Sequence, residues 1–183
     1  MTGKFPNSDV LLPAEEYIVV NSKKCQGCQR CMLACSLVHE GEANLSLSRI
    51  QVMQNILEKW PDDIKIVQCR QCVDPECVKS CPSGALFIDT ENGNIRVVNE
   101  EECTGCGLCV EACPFTPSRI NISIRTGKAI KCDLCLHTPY WDKKGGPDGR
   151  QACIEVCPQK AIKLVKATPF QQDDSEYDFI FTD

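Results

Sequence analysis

Histidine is nearly absent from this sequence: His39 and His137 are the only two in 183 residues. Aromatic residues make up 6% of the chain, and tryptophan occurs twice. With so few imidazoles, acid–base catalysis is poorly supplied, and His39 and His137 fit surface positions or a second layer around a ligand better than catalytic ones. Purely apolar stretches are of the order of Ile18-Val19-Val20, far short of the roughly 20 residues a spanning helix needs. The first 35 residues hold no apolar h-region, and Lys4 is the only basic residue before Lys23. Neither a secretory signal nor a twin-arginine pair is found, so a cytoplasmic chain without direct membrane insertion is expected. An export signal could still sit on a partner chain. There is no basic excess either. The net charge of −5 and pI of about 5.1 argue against a nucleic-acid footprint. No G-x-G-x-x-G fingerprint exists for a dinucleotide, and Gly127-Lys128 lacks the rest of a P-loop. A flavin or pterin would have to come on another chain.

What the sequence has in excess is cysteine, sixteen residues of it. Hydrophobic residues reach 43% only because that tally includes the cysteines. Without them the apolar share is about a third, thin for a core of this size. Something besides apolar packing therefore helps to hold the fold. A disulfide scaffold is the simplest reading of such a composition, but disulfides are rare where thiols are kept reduced.

The spacing divides the cysteines into four groups of four. They are Cys25-x2-Cys28-x2-Cys31-x3-Cys35, then Cys69-x2-Cys72-x4-Cys77-x3-Cys81, then Cys103-x2-Cys106-x2-Cys109-x3-Cys113, and last Cys132-x2-Cys135-x17-Cys153-x3-Cys157. Pro82, Pro114 and Pro158 follow the last cysteine of groups two, three and four, whereas group one has Ser36. Three cysteines at x2 spacing wrap a tight loop whose thiolates converge on one point. Zinc normally collects two ligands from each of two loops. A cubane iron–sulfur cluster takes one thiolate per iron, so three from one loop and one from elsewhere suit it. A lone C-x2-C would be weak evidence. Four complete quartets point to [4Fe–4S] clusters, with a zinc-stapled interaction module as the alternative from another class.

The halves of the chain resemble each other. Val19-Val20-Asn21 precedes Cys25 as Val97-Val98-Asn99 precedes Cys103, and Cys77-x3-Cys81-Pro82 through Ala85-Leu86 matches Cys153-x3-Cys157-Pro158 through Ala161-Ile162. A duplicated two-cluster unit is implied. Leu86-Phe87-Ile88 and Ile95–Val98 flank Asn92-Gly93, a hairpin signal, and residues 119–124 and 128–131 flank Thr126-Gly127 in the same manner. Ile50–Gln54 and Ile64–Gln68 read as strands around Trp60-Pro61, and Val110-Glu111-Ala112 begins a short helix. Residues 137–150, with Gly145-Gly146-Pro147-Asp148-Gly149, read as an exposed loop. The acidic pairs Glu15-Glu16, Asp62-Asp63 and Asp173-Asp174 read as solvated faces. Gly27, Gly105 and Gly107 suit close approach of backbone N–H groups to a cluster. A tail from Asp173 with Tyr177, Phe179, Ile180 and Phe181 suggests docking on a partner, and Tyr140 and Trp141 are a second candidate contact or pack against a cluster.

Cys69 to Pro114 resembles a complete bacterial two-cluster ferredoxin. With further quartets at Cys25 and Cys132, the chain resembles the four-cluster ferredoxin-type subunits of molybdenum and tungsten oxidoreductases. Formate dehydrogenases, formate hydrogenlyase, carbon monoxide dehydrogenase and tungsten aldehyde oxidoreductases have such subunits. The resemblance covers about residues 17–166. It implies an α+β fold of duplicated ferredoxin-like dicluster modules, with short hairpins and short helices around four cubanes. In that family groups one and four share one pair of clusters, and groups two and three share another. Carried over, cluster 1 takes Cys25, Cys28, Cys31 and Cys157, and cluster 2 takes Cys132, Cys135, Cys153 and Cys35. Cluster 3 takes Cys69, Cys72, Cys77 and Cys113, and cluster 4 takes Cys103, Cys106, Cys109 and Cys81. The internal repeat alone would also permit pairing one with two and three with four. The contiguous ferredoxin in the middle argues against that.

The resemblance divides the chain into an extension (1–16), the first cysteine group with an inserted hairpin (17–68), a central two-cluster module (69–118), the fourth group with its loop (119–166), and an acidic and aromatic tail (167–183). It implies a non-catalytic subunit relaying single electrons between a catalytic partner, of molybdenum or tungsten type, and an acceptor. That acceptor would be a flavin-containing subunit or a ferredoxin. A free polyferredoxin shuttling between enzymes is the alternative. All sixteen cysteines are present, so four cubanes of low potential are expected, and the metal-free chain should lack fixed tertiary structure.

Overall fold

The computed structural model describes residues 12–166. Its strands are β1 (Tyr17–Val20), β2 (Ile50–Gln54), β3 (Ile64–Gln68), β4 (Leu86–Asp89), β5 (Ile95–Val98), β6 (Asn121–Ile122), β7 (Ala129–Ile130) and β8 (Ile162–Val165). Its α-helices are α1 (Arg30–Glu40), α2 (Glu76–Lys79), α3 (Leu108–Glu111) and α4 (Ala152–Glu155). The strands form two-stranded antiparallel ribbons, β1 with β8, β2 with β3, β4 with β5 and β6 with β7. Small strands and mostly short helices are the α+β content expected of a ferredoxin-type domain.

The ribbon β1–β8 ties the two ends of the described chain together, pairing Tyr17 with Val165 and Val20 with Ile162. Its counterpart β4–β5 pairs Leu86 with Val98. At the end of β1 the Asn21 amide donates to the Ala161 carbonyl at 2.8 Å, and at the end of β5 the Asn99 amide donates to the Ala85 carbonyl at 2.7 Å. The repeated sequence thus makes the same hydrogen bond twice, once across the whole chain and once locally. Helices follow the same division: α1 packs on α4, and α2 on α3.

Proline sets helix length. The residue before a proline is disfavoured in the helical region, and α2, α3 and α4 all end before the Cys-Pro pairs at Pro82, Pro114 and Pro158. Group one has no such stop. There α1 runs through Cys35 to Glu40 and closes on Gly41, whose φ of 75° is the left-handed conformation that favours glycine. The Ser36 hydroxyl donates to the Leu33 carbonyl at 3.0 Å and accepts the Asn44 amide at 2.9 Å. An 11-residue α1 departs from the expectation of short helices, and the missing proline is the reason.

The strands Ile50–Gln54 and Ile64–Gln68 form with the expected limits because their apolar residues alternate: Ile50, Val52, Ile64 and Ile66 are buried while Lys65 is exposed. The hairpin at Asn92-Gly93 forms around a longer loop than a two-residue turn, since the Asp89 carboxylate accepts the amides of Glu91 and Asn92. At Thr126-Gly127 only two residues pair on each side, and Gly127 turns back to bond Ser123 at 2.9 Å.

Two expectations need correction. The loop 137–150 is not simply exposed: Gly145 and Gly146 are buried, and a Cβ at Gly145 would lie 1.8 Å from the Cys135 carbonyl oxygen. Of the acidic pairs, Glu16 and Asp63 are buried; Glu16 accepts the Asp148 amide at 3.0 Å, and Asp63 accepts the Gln54 side-chain amide at 2.7 Å. Among the described residues no helix is long and apolar enough to cross a membrane. The aromatic tail at Tyr177, Phe179, Ile180 and Phe181, and Asp173-Asp174, lie outside the described residues.

Cysteines are part of the core rather than decoration on it. The main cluster of buried side chains combines Ile18, Ile50, Ile66, Val97 and Ile162 with Cys25, Cys31, Cys35, Cys69, Cys132 and Cys153. A second surrounds Cys109 with Val78, Leu86 and Ile120.

Candidate cluster-binding sites

The cysteine loops bring thiols from distant groups together. Cys25 lies in the field of Cys28 and Cys157, and Cys31 in that of Cys25, Cys28 and Cys157. Cys153 faces Cys132, Cys135 and Cys35. Cys77 faces Cys69, Cys72 and Cys113. Cys109 faces Cys103, Cys106 and Cys81. Each gathering holds three thiols of one or two loops and one thiol from a group remote in sequence.

Burial and neighbouring thiolates push the Cys31, Cys72, Cys77 and Cys135 thiols up to about 12. The same causes raise Cys132 and Cys153 well above the ordinary range. Four thiolates cannot share such a space without a positive core. Two cavities show its outline: one is bounded by Cys81, Cys103, Cys106 and Cys109, the other by Cys35, Cys132, Cys135 and Cys153. Among the described residues no group of three or more His, Cys, Asp or Glu side chains is drawn in tightly enough to hold one metal ion. Thiols that surround a space fit a cubane, which takes one sulfur ligand per iron.

Backbone amides finish each loop. The last cysteine of every quartet accepts an N–H from further along the chain: Cys35 from Arg49 (3.4 Å), Cys81 from Leu86 (3.4 Å), Cys113 from Arg119 (3.3 Å) and Cys157 from Ala161 (3.3 Å). Gly27 donates to Cys25 at 3.4 Å. Such bonds stabilise negative charge on sulfur and are a lever on cluster potential. Gly105, in the third loop at φ 70°, would bring a Cβ within 2.3 Å of the Gly127 carbonyl, so the close fit of that loop requires glycine.

The long α1 has a direct consequence here. It carries His39 one turn past Cys35, where the ring is buried, with Nδ1 2.7 Å from the Cys35 carbonyl oxygen and 3.7 Å from its sulfur. Nε2 lies 3.0 Å from the Asp133 carboxylate. Burial opposes charge on this ring, but Asp133 and Cys35 bring its pKa up to about 9. Asp133 itself, between Cys132 and Cys135, also accepts the amides of Cys135 (3.0 Å) and His137 (3.1 Å) and the Arg49 guanidinium (3.2 Å). Despite burial, hydrogen bonds from His137 and His39 hold its carboxyl well below the usual range. The sequence suits His39 to a surface position or to a second layer around a ligand, and the structure buries it against Cys35; for Asp133 and Arg49 it raised no such expectation. The signal available was an acidic residue inside a C-x2-C loop, unlike Gln26-Gly27, Arg70-Gln71 or Thr104-Gly105 in the other groups.

His137 keeps a largely exposed side chain. Trp141 packs beside Val38, Cys135 and Ala152, while Tyr140 stays exposed with its ring over Gly41.

Comparison with known proteins agrees with this donor set. A 4Fe–4S dicluster domain matches residues 63–167, and a 4Fe–4S binding domain matches residues 22–38. The chain belongs to the 4Fe–4S dicluster family: it is a [4Fe–4S] electron-transfer subunit of the kind that serves oxidoreductases. It is 38% identical over 152 residues to the aliphatic sulfonate oxidoreductase, polyferredoxin-like subunit of Pyrococcus furiosus, covering 81% of this chain and 77% of that one. It is 33% identical over 155 residues to the thiosulfate reductase electron transfer subunit PhsB of Salmonella typhi, covering 81% and 75%. The electron transport protein HydN of Escherichia coli (strain K12) is 29% identical over 180 residues, covering 87% and 93%.

Proposed function

We propose that the chain relays single electrons through four [4Fe–4S] clusters, between a catalytic subunit of molybdenum or tungsten type and an acceptor subunit or carrier. In this reading Cys25, Cys28, Cys31 and Cys157 hold cluster 1, and Cys132, Cys135, Cys153 and Cys35 hold cluster 2. Cys69, Cys72, Cys77 and Cys113 hold cluster 3, and Cys103, Cys106, Cys109 and Cys81 hold cluster 4. The observation that carries it is the gathering of remote thiols: Cys157 beside Cys25 and Cys31, and Cys81 beside Cys109.

The fold is then two dicluster modules. One is made of groups one and four, joined by β1–β8 and α1 against α4, and the other of groups two and three, joined by β4–β5 and α2 against α3. Residues 69–118 form the central module, 17–68 and 119–166 together the outer one, with 1–16 an extension and 167–183 a tail for partner contact.

The order of the relay is 1–2–3–4. Cys153 of set 2 lies in the field of Cys31 of set 1, and Cys132 of set 2 in that of Cys69 of set 3. Sets 3 and 4 share α2 and α3, which carry Cys77 and Cys109. Of the sixteen cysteines only Cys28 and Cys106 are exposed, and they belong to the two end sets. Electron transfer falls off steeply with distance, so the exposed ends are the ports and the buried sets the interior of the wire. Ligation entirely by cysteine leaves no open iron for a substrate, which supports a non-catalytic role. That two relatives are named as subunits of an aliphatic sulfonate oxidoreductase and a thiosulfate reductase supports a catalytic partner.

Iron and sulfide analysis of anaerobically purified protein is expected to give about sixteen of each per chain, four per cubane; zinc without sulfide would end the reading. Cys25→Ser and Cys157→Ser should alter the same electron paramagnetic resonance signal, and two different signals would refute the ligand sets. Co-purification with a molybdopterin-containing chain is the expected partner result, whereas a monodisperse chain without partners would favour a free polyferredoxin.

A further inference from the structure

The four sites differ in the charge that the protein places around them. Arg96 and Lys131 are 1% and 3% exposed. Their polar contacts are carbonyl oxygens. Arg96 donates to Asn94 at 2.5 Å, Leu12 at 2.6 Å and Val73 at 3.2 Å, and Lys131 donates to Arg96 and to Cys132 (3.0 Å). Among the described residues neither forms an ion pair with a carboxylate. A buried charge without a counter-charge is costly, so native proteins pair such groups. Arg96 lies in the field of the Tyr17 phenol and of the Cys69, Cys72 and Cys77 thiols, and Lys131 in that of Cys77; of these groups the thiols are the ones assigned to the third cluster.

Arg96 is also braced from inside the second cysteine loop. Its amide donates to the Gln71 side chain at 2.8 Å, and Gln71 in turn donates to the Cys132 carbonyl at 2.9 Å. The guanidinium itself reaches the end of that loop through its bond to the carbonyl of Val73, the residue after Cys72. Site 2 contrasts with it. Its two basic side chains both lie against carboxylates: His39 against Asp133 at 3.0 Å, and Arg49 against Asp133 at 3.2 Å, Glu40 at 3.4 Å and Glu100 at 3.6 Å. Sites 1 and 4 each have one exposed cysteine and therefore contact with water, which screens charge.

We propose that Arg96 and Lys131 are the counter-charges of the cluster held by Cys69, Cys72, Cys77 and Cys113, and that they make it the most readily reduced of the four. The proposal rests on the ligand sets given above. A cubane on four thiolates is a net anion, and reduction adds one electron from a neighbouring cluster, which is oxidised in the same step. The added negative charge is stabilised by fixed cations in a weakly screened interior. An electron on the wire would then rest at the third position, one step from the port at Cys106.

The test is a potentiometric titration followed by electron paramagnetic resonance on the anaerobic holoprotein, with Cys72→Ser marking the cluster 3 signal. In the unmodified protein the highest midpoint is expected for that signal. Arg96→Gln and Lys131→Gln should each move it to lower potential and leave the other three in place, and Arg96→Lys should restore most of the Arg96→Gln shift. Equal midpoints in the wild type, or both glutamine variants with full iron content and an unmoved cluster 3 signal, would overturn the proposal. If Arg96→Gln fails to load iron, Lys131→Gln and the wild-type order still decide. Should Cys72→Ser and Cys113→Ser mark different signals, the ligand sets fail, and the charge argument fails with them.

Discussion

The two proposed modules are built from the same repeat and solve one problem differently. In the proposed module of groups two and three, Cys81-Pro82 and Cys113-Pro114 stop the helices early, and the buried charges beside it, Arg96 from β5 and Lys131 from the following segment, donate to carbonyls. In the module of groups one and four, Ser36 lets α1 continue, and the added turn delivers His39 to Asp133 and Arg49. One residue's difference after a cysteine thus changes what surrounds its thiol. The ligands themselves need not change, because potential is set by the second layer as well as the first.

The largest expected effect treats both modules alike. Removing iron from the holoprotein should abolish fixed tertiary structure throughout, since thiols pushed up to about 12 by burial and one another have no folded partner without it. Loss of near-ultraviolet circular dichroism and of amide dispersion would show this. A cooperative thermal transition in the metal-free chain would contradict it.

Asp133→Asn breaks only the outer module. It leaves His39 buried without its carboxylate partner, a loss of roughly 3–5 kcal/mol for a buried pair, while Arg49 keeps Glu40 and Glu100. Thermal unfolding of the holoprotein should fall accordingly, with the cluster 2 signal perturbed and those of clusters 3 and 4 retained. Ser36→Pro makes group one resemble the other three. A proline inside α1 should cost about 3 kcal/mol, measured by thermal denaturation, and should unseat His39 from Asp133. The smallest effect belongs to Leu57→Ser at the β2–β3 hairpin tip, where the side chain is 88% exposed. Stability should change by no more than about 0.5 kcal/mol, so any larger change in binding to a partner would point to the hairpin tip as a contact.

Much of this molecule is legible in its residues. The limits of β2 and β3 followed from alternation of Ile50, Val52, Ile64 and Ile66 with polar residues, because a strand with one buried face must alternate. The hairpin at Asn92-Gly93 was legible from its turn residues, though not its length, which the Asp89 carboxylate sets. The length of α1 is written in Ser36, which stands where the other three groups have the proline that stops a helix. Burial of Gly145, Glu16 and Asp63 could not be read, because each depends on how a loop folds back: on Cys135 for Gly145, on Gln54 across the β2–β3 hairpin for Asp63, and on distant Asp148 for Glu16.

The sequence by itself determined the cofactor class, because thiolates at fixed spacing on a tight loop converge whatever the rest of the chain does. It also determined the repeat, and with it the paired hydrogen bonds at Asn21 and Asn99. Only the tertiary structure decided which charges lie against which thiols. Arg49 and Arg96 come from segments far from the one that carries Lys131 and Asp133, and the energy of a charge depends on burial and distance, neither of which a linear spacing contains.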